Sequence, residues 1–235
     1  MQVRELSDEF DTNGGILMLK QEVLTRIQRT GIIPVLRALS AEEALAIVEA
    51  ISEGGIDVIE VTMTVPGAID VIRKLTRDCA DLLIGAGTVL NPENARICIQ
   101  EGAQFIVSPA VNIATIEICQ QHSIPVFPGA LTPTEIITAW QAGGDVIKVF
   151  PASAMGGAPY LRSLKAPFPQ VEMIPTGGIS LATANDFLRA GAFALGVGAD
   201  LCSSSAIAEG KPDRITQTAR QYTQIVAAFR ASSGV

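Results

Sequence analysis

Short apolar runs rich in β-branched residues alternate along this chain with longer stretches in which apolar side chains recur every three or four positions. The short runs cover residues 32–36, 57–62, 82–85, 105–108, 125–127, 145–150, 171–175 and 193–197. They show little period-two alternation, the signature of strands buried on both faces, as in a parallel sheet covered by helices. The longer stretches predict helices over about residues 18–30, 40–52, 113–121, 181–190 and 212–231, with further helices opening at Pro66-Gly67, Asn91-Pro92-Glu93 and Thr132-Pro133-Thr134-Glu135. Ser40 followed by Glu43 predicts a capping box, and Gly54-Gly55 ends that helix. Eight such beats predict a parallel (β/α)8 TIM barrel with an extra N-terminal helix. An open doubly wound sheet shares the alternation, but the G-x-G-x-x-G turn expected after its first strand is absent. No linker or shift in composition divides the chain. Residues 1–17 are polar and acidic and contain Asn13-Gly14-Gly15, so they are expected to be a loose tail before a single domain over 18–235.

Composition narrows the chemistry. With 48% hydrophobic and 17% charged residues, the chain can bury a large core. A net charge of -7 argues against nucleic acid as a partner, though local amides and cations still permit an anionic small molecule. Cys79, Cys98, Cys119 and Cys202 are widely spaced with no C-x-x-C pair, which reads as free thiols in a reducing compartment. The single histidine, His122, excludes multi-histidine metal sites and reads as a solvated helix-end residue, so no metal is expected. No apolar run reaches membrane-spanning length and no signal-peptide core precedes the first helix, so the expected location is the cytoplasm, with no membrane partner.

Lys148 lies inside the apolar run Asp145-Val146-Ile147-Lys148-Val149-Phe150-Pro151. One reading is a lysine that snorkels from a strand end or pairs with a carboxylate. The other is a desolvated amine, a nucleophile able to form a Schiff base with a carbonyl substrate. Glu60 lies in a second such run, Val58-Ile59-Glu60-Val61-Thr62. Strand parity puts Lys148 on one face with Val146 and Phe150, and Glu60 with Val58 and Thr62. If both faces point inward, an amine and a carboxylate share the barrel interior, either as an ion pair or as a nucleophile with its proton shuttle.

Barrel chemistry gathers where strands end. Arg37 follows the first strand there, either solvated or as a clamp for a substrate carboxylate. Thr88 follows Gly85-Ala86-Gly87, as a turn residue or as a further donor to the same group. Ser108-Pro109 ends the fourth strand. Thr176-Gly177-Gly178 and Gly196-Val197-Gly198-Ala199 end the last two, where turns open to helices and backbone amides can approach a phosphate. Ordinary turn punctuation accounts for either glycine pair alone.

Taken together, the pieces Ile33-Pro34-Val35-Leu36-Arg37, Gly54-Gly55-Ile56, Ile59-Glu60-Val61-Thr62, Ile84-Gly85-Ala86-Gly87-Thr88-Val89, Gly102 through Pro109, Pro128-Gly129, Ile147-Lys148-Val149-Phe150-Pro151 and Pro175-Thr176-Gly177-Gly178-Ile179 resemble the 2-keto-3-deoxy-6-phosphogluconate (KDPG) and 4-hydroxy-2-oxoglutarate (KHG) aldolases, in order, across about residues 20–230. The resemblance implies a (β/α)8 class I aldolase that forms trimers and needs no metal or cofactor beyond a covalent Schiff base on Lys148. It implies Glu60 as general acid/base, Arg37 and Thr88 on the pyruvate carboxylate, and Phe150 and Pro109 as pocket walls. Thr176, Gly177, Gly178, Gly198 and Ala199 fall at the phosphate end. The implied partners are a phosphorylated 2-keto acid and pyruvate. Two positions depart from other members: Thr64 stands where some carry an arginine, leaving the clamp to Arg37, and Ala199 stands where some carry a serine. Thr176 leans toward the gluconate branch over the galactonate branch. A phosphosugar epimerase and a non-catalytic metabolite-binding barrel remain competing readings on the same fold.

Overall fold

The structure, a computed structural model, describes residues 19–233; the expected tail lies outside them. Five strands form first: β1 Ile32–Leu36, β2 Val58–Thr62, β3 Leu83–Gly87, β4 Ile106–Val107 and β5 Val126–Phe127. Four follow: β6 Gly129–Ala130, β7 Ile147–Val149, β8 Met173–Pro175 and β9 Leu195–Val197. The helices are α1 Lys20–Thr30, α2 Ala41–Glu53, α3 Ala68–Asp78, α4 Pro92–Gln100, α5 Ile113–Gln121, α6 Pro133–Gln141, α7 Ala158–Lys165, α8 Ala184–Arg189, α9 Ser204–Ala208 and α10 Asp213–Ser233.

Every strand pairing is parallel, in the orders β5-β4-β3-β2-β1-β9 and β6-β7-β8. Two seams close these into one barrel. At the first, β5 runs on into β6 through Pro128, and the Asp145 amide donates to the Val126 carbonyl at 3.0 Å. At the second, Thr176 bridges Gly196 and the Phe193 amide donates to the Met173 carbonyl at 2.9 Å. The expected fifth strand therefore continues past Pro128 as β6, and an open doubly wound sheet is ruled out.

Helix starts follow local chemistry. Asn91 and Thr132 accept from the amides of Asn94 (2.8 Å) and Glu135 (3.3 Å). At α2, Ser40 accepts from the Glu43 amide at 3.2 Å, but the Glu43 carboxylate takes the Leu39 amide and not that of Ser40, so the expected reciprocal box is only half formed. α3 begins after Gly67, which sits in the left-handed region at φ 69°; Pro66 lies in the turn before it and does not open the helix as expected. α7, the single 3-10 turn Ser153–Met155 before it and α9 were not anticipated. The stretch around α7 is dense in breakers, Gly156-Gly157, Pro159, Pro167 and Pro169, which mask an eight-residue helix whose proline falls in the first turn, where no N–H is needed.

Two apolar cores result. The larger lies between barrel and outer helices. The smaller fills the barrel with Ile33, Val58, Leu83, Phe105, Val107, Phe127, Val146, Ile174 and Ala194, and α1 adds Val23 and Ile27 to it. The extra helix thus plugs the end at which the strands begin. It is held there by Lys20–Asp145 (2.8 Å) and by Arg26 and Arg29 on Asp57 (both 3.0 Å). Among the described residues, the opposite end of the barrel interior, where the strands finish, is not covered by this helix.

Candidate active site

Glu60 and Lys148 both point into the barrel, which meets the condition that strand parity left open. Their side chains retain 3% and 7% exposure, and Lys148 Nζ lies 3.5 Å from Glu60 Oε1. At an effective dielectric of about 20 the attraction is roughly 5 kcal/mol at this distance. Withdrawing each ion from water costs several kcal/mol. The pair therefore adds little over apolar side chains in the same space, and fold stability does not explain its presence.

The neighbours of the pair are set by residues that are missing side chains. A Cβ at Gly87 would collide with the Glu60 carboxylate, and one at Gly85 with the Phe105 ring. Gly85-Ala86-Gly87 on β3 thus leaves room for Glu60 from β2, its paired neighbour. Lys148 Nζ also stands 5.6 Å from the centroid of Phe150, two residues on along the same face. At Gly129 a Cβ would strike the Pro109 carbonyl, so the β4 loop can lie close to β6, which pairs with β7 beside Lys148.

The other expected residues lie at the same end, in loops after their strands. Arg37 is exposed and, among the described residues, makes no ion pair or side-chain hydrogen bond. Nearby, burial pushes the Cys202 thiol up to about 12, the Glu60 carboxylate adds to the rise and the Arg37 guanidinium opposes it. Thr88 adopts φ +56°, in a region a β-branched residue rarely occupies. Thr176 is buried, and its hydroxyl fills the place a Gly196 side chain would need. Gly177 and Gly178 take φ +92° and +76°. Among the described residues the amides of Gly178, Ile179 and Ala199 donate to no protein acceptor, which leaves them open to an anion. The Ser108 hydroxyl is taken up locally, donating to the Ala110 carbonyl at 2.7 Å.

Three supporting groups were not singled out in the sequence. Thr62, fully buried, donates to the Leu36 carbonyl at 2.7 Å and meets the Thr64 hydroxyl at 2.7 Å, tying the end of β2 to the residue before Arg37. Its parity with Glu60 was the available signal. Tyr222 on α10 donates to Asp200 at 2.5 Å, and Asp200 also accepts from the Leu181 amide at 3.3 Å, which links the last two loops of the barrel. Nothing local in the sequence announces a contact spanning more than twenty residues. His122, by contrast, is the exposed C-cap of α5, at the plugged end and away from Lys148. An open cleft lined by Thr25, Arg26, Arg29, Asp57 and Asp81 also lies at that end, where Arg26 and Arg29 already pair with Asp57. Among the described residues no cluster of three or more metal-ligating side chains occurs, and no helix is long and apolar enough to cross a membrane.

The chain is similar to known proteins over most of its length. A family model described as KDPG and KHG aldolase matches residues 23–218. A 2-dehydro-3-deoxy-phosphogluconate aldolase of Treponema pallidum (strain Nichols) is 34% identical over 204 residues, 87% of this chain and 97% of that protein. A KHG/KDPG aldolase of Escherichia coli (strain K12) is 35% identical over 193 residues, 82% of this chain and 91% of that protein. The crystal structure of a KDPG aldolase from Legionella pneumophila, with pyruvate captured at low pH as a covalent carbinolamine intermediate, is similar with a TM-score of 0.78 at 32% identity, covering 84% of this chain and 96% of that one.

Proposed function

The chain belongs to the KDPG and KHG aldolase family, and from that premise we propose that it cleaves 2-keto-3-deoxy-6-phosphogluconate reversibly to pyruvate and D-glyceraldehyde 3-phosphate through a Schiff base on Lys148. 4-Hydroxy-2-oxoglutarate, cleaved to pyruvate and glyoxylate, is a second substrate in the same scheme. The observation that carries the reading is the buried Lys148–Glu60 pair in an otherwise apolar barrel interior.

Moving one proton from Nζ to Oε1 leaves a neutral amine facing a neutral acid. The amine adds to the substrate's C2 carbonyl, and loss of water gives a protonated imine. Glu60, again a carboxylate, takes the C4 hydroxyl proton. The C3–C4 bond breaks, its electron pair flows into the imine as an enamine, and the aldehyde leaves. Glu60 returns the proton to C3, and water hydrolyses the resulting imine to pyruvate and free Lys148. Arg37 and Thr88 hold the carboxylate, and Phe150 and Pro109 wall the pocket. The turns at Thr176-Gly177-Gly178 and Gly198-Ala199 receive the phosphate through backbone amides. The apolar interior keeps bulk water from the enamine.

A folded Lys148→Ala protein is expected to lose about a thousandfold or more of its pyruvate release from KDPG, since the covalent step disappears. Turnover within about tenfold of the parent would sink the mechanism. We place the enzyme in the cytoplasm, in the Entner–Doudoroff pathway, as a homotrimer; free thiols at all four cysteines fit a reducing compartment. Light scattering at three chain masses supports the trimer, and a single chain mass refutes it.

A further inference from the structure

The substrate phosphate offers three acceptor oxygens, and the glycine turns supply backbone amides alone. Ala199 contributes a methyl group and no hydroxyl. The loop after β7, the strand that carries Lys148, lies directly on the Gly177-Gly178 turn. The Ala152 amide donates to the Thr176 carbonyl at 2.9 Å and the Ser153 amide to the Gly177 carbonyl at 3.1 Å. These bonds fix the main chain at Ser153. Its side chain rests against Gly178 so closely that any Cβ there would collide with Ser153 Cβ and Oγ.

Gly178 is therefore constrained twice, by its left-handed backbone at φ +76° and by the Ser153 side chain that occupies its open face. The Ser153 hydroxyl is exposed and makes no hydrogen bond among the described residues. It packs against Gly178, whose amide likewise has no protein acceptor among them. A rotatable O–H donor held next to an open N–H is suited to a tetrahedral anion, because the two can engage different oxygens of one phosphate.

We infer that Ser153 donates its hydroxyl to the terminal phosphate of the substrate and sets the preference for phosphorylated over unphosphorylated 2-keto acids. The inference rests on the reading of the Gly177-Gly178 turn as the phosphate site. Ser153 bonds Gly177 and packs on Gly178, so its effect is expected at the phosphate end.

The test is Ser153→Ala, measured by the KM for KDPG and by the pyruvate concentration that half-saturates borohydride-trapped adduct on Lys148. Expected is a rise of about tenfold in that KM, the loss of one hydrogen bond to a charged group, with pyruvate half-saturation unmoved. Adding Ala199→Ser to the variant should recover most of the loss, because it returns a hydroxyl to the proposed phosphate end. An unchanged KM overturns the inference. So does an equal shift in KM and pyruvate half-saturation, which would mean a general disturbance of the pocket. A parent protein that forms no pyruvate adduct sinks the aldolase reading itself, and the role of Ser153 with it.

Discussion

Thr88 shows how one backbone angle separates stability from use. A β-branched residue at φ +56° crowds its own carbonyl and Cβ, at a cost of about 1–2 kcal/mol. Glycine accepts that angle freely but loses more chain entropy on folding, about 0.5–1 kcal/mol. Thr88→Gly is therefore expected to raise stability by about 0.5–1 kcal/mol, roughly 2 °C in melting temperature for a chain of this length. If the Thr88 hydroxyl holds the pyruvate carboxylate, the same variant needs several times more pyruvate to half-saturate Lys148. A variant that is more stable and binds pyruvate as before would reduce Thr88 to a turn residue. Strain of this kind is not visible in the sequence, where threonine after a glycine pair reads equally as turn and as ligand.

Among the elements, β3 determines what its neighbour can carry. Gly85-Ala86-Gly87 reads in the sequence as the lead-in to Thr88, yet the two glycines serve Phe105 and Glu60 from adjacent strands. Gly87→Ala is expected to drive Glu60 away from Lys148, lowering turnover about a hundredfold and stability by about 1–3 kcal/mol, as overpacking does. Activity assays and thermal melts check both. Near-parent activity would mean that Glu60 works from a different position.

The strands and most helices were legible because buried parallel strands are uniformly apolar and caps are local. Parity showed which residues share a face with Glu60 and Lys148, but not that those faces point inward, because both faces of these strands are apolar. The interlocks that shape the site were not: Gly87 with Glu60, Gly178 with Ser153 and Tyr222 with Asp200 join residues distant in sequence, and each depends on barrel closure. α7 was hidden by the prolines and glycines around it, and the continuation into β6 by a proline that donates nothing but whose carbonyl accepts the Lys148 amide at 3.0 Å.

The whole molecule is a barrel sealed at one end by α1 and open at the other, which gives its buried pair access to substrate from one direction. Burial also governs its thiols. It pushes Cys98 up to about 11, and Cys119 and Cys202 up to about 12, against about 8.5 in an unfolded chain. With the folded values raised, the unfolded chain loses these protons first. The stability they leave intact below about pH 8.5 is therefore lost progressively as pH rises toward 11–12. Melting temperature should fall over that window, and less steeply in Cys98→Ala, measured as the difference in slope from the parent. Equal slopes would mean that Cys98 does not stay protonated in the fold.

The central claim is that Lys148 becomes covalently bonded to substrate. Incubation with pyruvate and borohydride, followed by intact mass and peptide mapping, tests it directly. The account predicts one stable pyruvate-derived adduct per chain, on Lys148. Folded protein that binds the phosphorylated sugar acid but carries no adduct, or carries it on another lysine, would contradict it.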